Sequence, residues 1–485
     1  MNIPMIRYTL SQVLRIEGAF LLLPCIVSLV YQENVGITYF IIALVLMLTG
    51  TAGSFVKPKD PVIYLKEGCV ATSLSWILMS VAGCLPFFLT GEIPHFTDAL
   101  FETVSGFTTT GASILSNVEG MSHTGLFWRS FTHWLGGMGV LVFLLAVIPM
   151  SGGSNINLMR AESPGPSVGK LVPKIKHTAR ILYLIYLVMT LIETILLIAG
   201  GMSVFDSLAL SFGTAGTGGF GVKNDSFASY TPYVQWVAGI FMLLFGVNFN
   251  AYYYMLLRQF KRAFGIEEVR KYIMIILLST GVIFVNIIKM YDNAFTALTH
   301  AFFQVTSIIS TTGFGSTDFD QWPTMSKLIL IFLMFIGACA GSTGGGIKVS
   351  RIIILLKSIR KEFSSYIHPK IVRKTTMDGR AVEHDVVRSI NVFFITYMTL
   401  LLLSMFLVTA DGHDLVTSFT AVLATLSNIG PGLAKVGPTC NYAFFSNLSK
   451  YVLILDMLAG RLELFPILIL FHPKLYKGII GGKRN

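Results

Sequence analysis

Ten apolar stretches, each long enough to cross a bilayer, occur at roughly 11–31, 36–56, 69–90, 126–149, 181–200, 233–257, 272–290, 326–358, 389–410 and 449–472. A spanning helix needs about 20 such residues. Inside lipid the helix also satisfies its own amides, which would otherwise cost several kcal/mol each. The pattern predicts an all-α integral membrane protein of about ten transmembrane helices. Composition agrees, since 53% of the 485 residues are hydrophobic and 13% are charged, against about 25% charged in soluble domains.

Lys and Arg total 36 against 25 Asp and Glu, a net charge of +11 that would suit nucleic acid if it formed one patch. It falls instead in alternate loops: Lys57, Lys59 and Lys66; Lys170, Lys174, Lys176 and Arg180; Arg258, Lys261, Arg262, Arg270 and Lys271; the 348–388 cluster; and Lys474, Lys477, Lys483 and Arg484. The opposite loops hold isolated positives such as Lys223, Lys289 and Lys435. The positive-inside rule then puts both termini in the cytoplasm and removes the case for a nucleic-acid partner. The N-terminal apolar run has no small-residue cleavage site after it and reads as a retained span. Cys25, Cys69, Cys84, Cys339 and Cys440 are scattered without a CxxC, so neither a disulfide framework nor a zinc site is expected. Paired carboxylates, HExxH, a Ser/His set and a nucleotide loop are all missing, which argues against an enzyme.

The informative feature lies between the spans. FTDALFETVSGFTTTGAS (residues 96–113) aligns without a gap on LTHAFFQVTSIISTTGFG (298–315), with Thr109, Thr110 and Gly111 over Thr311, Thr312 and Gly313. VFDSLALSFGTAGTGGFG (204–221) puts Asp206 over Asp98, and Thr217, Gly218 and Gly219 over the same triplet. More weakly, DLVTSFTAVLATLSNIGPG (414–432) puts Asn428, Ile429 and Gly430 there. A period of about 100 residues, each holding span, re-entrant segment and span, makes four units that could surround an axis. The divisions are two extra N-terminal helices (1–66) and units at 67–165, 166–262, 263–362 and 363–485.

Non-helical backbone at membrane depth survives only buried in protein or lining water. Glycine permits positive φ, so a TTG or TGG stretch can turn consecutive carbonyls toward one axis. Such a ring replaces the hydration shell of a cation. The glycine stretches hold no carboxylate, which favours a monovalent ion. Close helix packing is the better explanation of any one Gly/Thr run, but four runs in the same setting point to a path. Thr109, Thr110, Thr311 and Thr312 either line that path or cap local amides, and the sequence leaves both open.

These loops, with AGSTGGGIKVSR (340–351), WLGGMGV (134–140), RAESPGP (160–166), SNIGPGL (427–433) and MLAGRLELF (457–465), resemble the Trk/Ktr/HKT superfamily of potassium transporters, closest to TrkH-type subunits. The resemblance covers nearly the whole chain. It implies a pseudo-fourfold pore, usually in a homodimer, with potassium held at the twelve triplet residues above. It also implies a cytosolic TrkA-like ring that supplies nucleotide regulation, touching the loops after Arg258 and Arg351; this chain needs no covalent cofactor. A serine at the first filter glycine accompanies sodium permeation in plant relatives, and here Gly111 and its equivalents are all glycine.

Gly341, Ser342, Thr343, Gly344, Gly345 and Gly346 interrupt the eighth stretch, where low helix propensity should open a loop. A phosphate-binding loop would need a GKS/T ending and a preceding strand, and packing around a kink is the plainer alternative. The resemblance makes this loop an intramembrane gate below the filter. Arg461 lies in the last stretch near Asp456 and Glu463. An intramembrane cation faces protein or water, so it either pairs with another helix or enters the pore at the gate, the reading the resemblance supports. Glu102 and Gln304 occupy matching positions suited to bracing a filter. Asp98 and Asp206 suit helix capping, and Glu193 a neighbouring helix or a proton relay. His133 reads as packing at a span boundary beside Trp134. Tyr252, Tyr253 and Tyr254 read as an interfacial belt. The functions that follow are gated potassium permeation or potassium symport with protons or sodium.

Overall fold

The computed structural model describes residues 1–58, 63–137, 139, 175–368, 374–473 and 475. The RAESPGP motif and most of 138–174 lie outside them. The first span begins earlier than hydropathy suggested, running from Ile3 to Tyr31 as two helices, Ile3–Phe20 and Leu22–Tyr31. Pro24 lacks the amide that would bond the Phe20 carbonyl, which accounts for the break. This span packs on Gly36–Ser54 at very close range. A Cβ on Gly50 would come 2.6 Å from the Ser11 carbonyl, the small-residue contact that holds membrane helices together.

Four quarters follow, each with an outer helix, a short re-entrant helix, a glycine loop and an inner helix. They comprise Leu65–Leu89, Phe96–Phe107 and His123–Gly137; Ile175–Ala199, Val204–Gly216 and Pro232–Phe245; Glu267–Ile287, Ala294–Ile309 and Thr324–Ile336; and His384–Val408, Leu415–Leu426 and Asn447–Arg461. Ser203, Asn293 and Asp414 cap three of the re-entrant helices with their side chains, satisfying amides that no earlier turn can. Asp98 and Asp206 do not serve as those N-caps. Asp98 accepts from Lys450 Nζ at 2.6 Å, tying the first quarter to the fourth, and the Asp206 amide itself donates to Ser203.

The inner helices are 13 to 15 residues long, or about 20 Å at 1.5 Å per residue, short of a bilayer core of about 30 Å. Three of the expected continuous stretches are therefore broken. In 233–257 the chain bends by 90° after Phe245 and restarts at Phe249–Leu256, where the Asn248 side chain accepts the Asn250 amide. In 326–358 the break is wider than its glycines, running between Ile336 and Val349. In 449–472 the helix ends at Arg461, with φ of 59° at Glu463 and 66° at Leu464, and Pro466 follows. In the basic segment a two-residue hairpin, Thr376–Met377 with Arg380–Ala381, turns at Asp378 and Gly379. This is the only strand pairing among the described residues. Asp378 accepts the Glu267 amide at 2.7 Å.

Candidate functional site

All four re-entrant helices end in the same way. The amides of Thr109, Thr217, Thr311 and Asn428 donate three residues back, and those of Thr110, Gly218, Thr312 and Ile429 five residues back, at 2.8 to 3.1 Å. That pair of bonds is the Schellman ending, which requires left-handed backbone at its first residue. Accordingly φ is 55° at Thr109, Thr217 and Asn428 and 61° at Thr311. Two residues on, φ is positive again at Gly111, Gly219, Gly313 and Gly430, between 78° and 95°. Here glycine is required for space as well as conformation. A Cβ on Gly111 would fall on the Gly218 carbonyl oxygen, on Gly219 on that of Thr312, on Gly313 on that of Ile429, and on Gly430 within 2.7 Å of that of Thr110. The contacts run first quarter to second, third, fourth and back to the first, so the loops form a closed ring. The four glycines share one open cavity.

The threonine hydroxyls engage protein groups. Thr110 Oγ1 lies 2.8 Å from Thr108 Oγ1 and accepts from Asn428 Nδ2 at 2.9 Å, while Thr312 Oγ1 lies 2.7 Å from Ser310 Oγ. Behind the first loop, Glu102 meets Arg129 Nε at 2.6 Å and accepts the Ile114 amide at 2.9 Å. Arg129 donates to the Gly221 carbonyl of the second loop at 2.9 Å and lies 3.6 Å over Phe220. Gln304 reaches Ser316 and the Thr317 carbonyl at the matching place. His133 sits deeper than a span boundary, with Nδ1 donating to the Gly106 carbonyl at 2.8 Å and Nε2 accepting the Phe220 amide at 3.2 Å. Those two bonds fix its neutral tautomer and join adjacent quarters.

The glycine-rich break lies directly beneath the ring. The Gly345 amide donates to Thr311 Oγ1 at 2.6 Å, and a Cβ on Gly344 would come 2.7 Å from the Ser310 carbonyl. The break is laced to its surroundings. Cys339 N donates to Gly246 O and Phe249 N to Gly341 O, both at 3.0 Å, interlocking it with the broken helix of the second quarter. Thr343 Oγ1 donates to the Phe245 carbonyl at 3.3 Å, and Ser342 Oγ to Cys339 O at 2.6 Å. Lys348 Nζ caps the Gly344 carbonyl, and Gly346, at φ 75°, ends the run. Arg461 donates to Thr343 O at 2.9 Å, and to the Gly136 and Gly137 carbonyls where the first inner helix ends. It thus bridges the break to orphan helix-terminal carbonyls in another quarter. Glu463 binds Arg351 rather than Arg461, and Asp456 accepts from Ser404 at 2.7 Å.

Lys348 and Arg351, which the charge pattern groups with the basic loops, are 1% and 6% exposed. They sit where the helix restarts, beside the break. Arg129 and Glu268 were not singled out either. The signal for Arg129 was a lone cation within an apolar run, which burial in a membrane makes costly without a partner. Glu268 carried none, because it stands among charges at a helix start.

Four re-entrant helices whose glycine loops close into a ring, underlain by a break that bears buried cations, set among long apolar helices, give the architecture of a membrane transport protein. The family model for TrkH, a cation transport protein, matches residues 36–478, and the chain belongs to that family. It is 35% identical over 467 residues to the Trk system potassium uptake protein TrkH of Salmonella typhimurium, covering 94% of this chain and 96% of that protein. The TrkH of Vibrio parahaemolyticus is 34% identical over 482 residues, covering 96% and 99%. TrkG of Escherichia coli is 32% identical over 458 residues, covering 92% and 93%. The crystal structure of the potassium transporter TrkH from Vibrio parahaemolyticus superposes with a TM-score of 0.89 at 32% identity, covering 98% of this chain and all of that one.

Proposed function

We propose that the protein takes up potassium across the bacterial inner membrane, as the multi-pass transmembrane subunit of a Trk system, through a selective gated pore. It is a transporter and not an enzyme. The closed ring of positive-φ glycines, each seated on its neighbour's carbonyl, carries this reading. Thr109, Thr110, Gly111, Thr217, Gly218, Gly219, Thr311, Thr312, Gly313, Asn428, Ile429 and Gly430 form the filter that holds dehydrated potassium through backbone carbonyls. Gly341, Ser342, Thr343, Gly344, Gly345 and Gly346 form the gate, with Arg461 as a fixed positive charge beneath it. Both termini face the cytoplasm. The protein works as a homodimer, and nucleotide acts only through a cytosolic TrkA-like ring bound to the basic loops, whose charge suits acidic partner groups.

The driving force is the membrane potential, about 2.3 kcal/mol per charge per 100 mV. Purified protein in liposomes is expected to pass potassium and rubidium, and sodium less well, under an imposed voltage alone. Flux seen only with a proton or sodium gradient would replace the pore with a symporter.

A further inference from the structure

Glu268 lies at the start of the third outer helix and is 3% exposed. Its Oε1 accepts the Ala340 amide at 2.7 Å and the Ser350 amide at 2.9 Å. Those amides stand on either side of the glycine-rich break. Two nitrogens this close to one oxygen are less than about 6 Å apart, whereas ten residues of continuous helix would hold them about 15 Å apart. One carboxyl oxygen therefore fits only the folded-back form of the break. Any opening that draws its ends apart must give up at least one of the two bonds and strand a buried acceptor.

We infer that Glu268 is a positioning residue of the gate, a staple that favours the closed loop over any extended one. This rests on the assignment of the break as the gate. Three backbone bonds also join the rims directly, from the Ile347 amide to the Phe335 carbonyl at 3.3 Å, Lys348 to Ile336 at 3.0 Å and Val349 to Ala338 at 3.1 Å, and the Glu268 carboxyl adds to them a side-chain anchor from the third outer helix. Lys348 Nζ and Arg461 bind carbonyls within the break, and the Gly345 amide binds the filter above. Lys348 lies at the break itself, and Arg461 and Thr311 each hold one point within it, whereas the Glu268 side chain holds both rims from a separate helix.

The test compares four variants in liposomes without any partner subunit, reading voltage-driven potassium flux and the potassium-to-sodium ratio together. Glu268→Ala is expected to raise flux about tenfold, the shift that about 1.4 kcal/mol produces, with the ion ratio unchanged. Glu268→Gln keeps an acceptor oxygen at the same reach and is expected to restore flux close to that of the unsubstituted protein. Glu267→Gln, which loses the outward pair with Lys357, is expected to leave flux alone. Deleting residues 344–346 is the reference for an absent gate. High flux in the deletion with ordinary flux in Glu268→Ala would overturn the staple and keep the gate. Ordinary flux in the deletion would overturn the gate itself. As a readout that survives poor transport, a Ser342→Cys probe is expected to react faster with a cytoplasmic thiol reagent when Glu268 is Ala; an unchanged rate would also overturn the staple.

Discussion

Thr109, Thr217, Thr311 and Asn428 hold a left-handed backbone that costs an ordinary L-residue about 1–2 kcal/mol. The Schellman bonds beneath each one maintain it. Sequence reading found the glycines because glycine advertises positive φ, but nothing marks a β-branched threonine as left-handed, a conformation that such residues rarely adopt. Gly111→Ser would press a Cβ onto the Gly218 carbonyl and is expected to lower the potassium-to-sodium ratio by about tenfold, roughly 1.4 kcal/mol of differential binding. Reversal potentials in mixed ions would read it, and an unchanged ratio would remove Gly111 from the filter. In the loop before the fourth re-entrant helix, the Thr417 hydroxyl and then its amide hold the Asp414 carboxyl below the usual carboxylate range. Because the folded value is depressed, the stabilisation is present above the unfolded value of about 3.9 and is lost as pH falls through the folded one. The difference in unfolding midpoint between the protein and Asp414→Asn is expected to shrink below about pH 4. A difference that stays constant with pH would contradict it.

At the scale of elements, hydropathy located the helices and not their continuity. The apolar stretch 233–257 gives no hint of a 90° bend, since two Gly and two Asn among many apolar residues barely change its average. Tertiary contacts make the bend: Gly246 has no room for a Cβ beside the Tyr272 hydroxyl, and its carbonyl is taken by Cys339. The six-residue Gly/Ser/Thr run was legible in the third quarter because its composition is extreme, while the endings of the second and fourth inner helices were not. Arg461, where the fourth inner helix ends, caps the first inner helix and the break at once. Arg461→Ala is expected to raise potassium flux and to cost about 1–3 kcal/mol of stability from the stranded carbonyls. Flux assays and thermal unfolding would separate the effects. Lower stability without higher flux would leave Arg461 a cap and nothing more.

For the whole molecule, the long-period repeat made the fourfold plan readable, but not the ring's closure, which depends on contacts between residues more than 300 apart, as between Gly430 and Thr110. A folded-state ion site stabilises by mass action, about 2.7 kcal/mol at a hundredfold excess over Kd. Potassium is therefore expected to raise the unfolding midpoint of the detergent-purified protein progressively, and sodium at equal ionic strength to raise it less. Equal effects would argue that the ring does not discriminate in the resting state. The four contacts that close the ring differ in chemistry: glycine on glycine, on threonine, on isoleucine and on threonine again. In a pore made of four identical subunits every substitution enters the conduction path four times. In the pore proposed here it enters once, so permeation can be adjusted in quarter steps, one seam at a time, while the other three seams hold the ring closed around the ion.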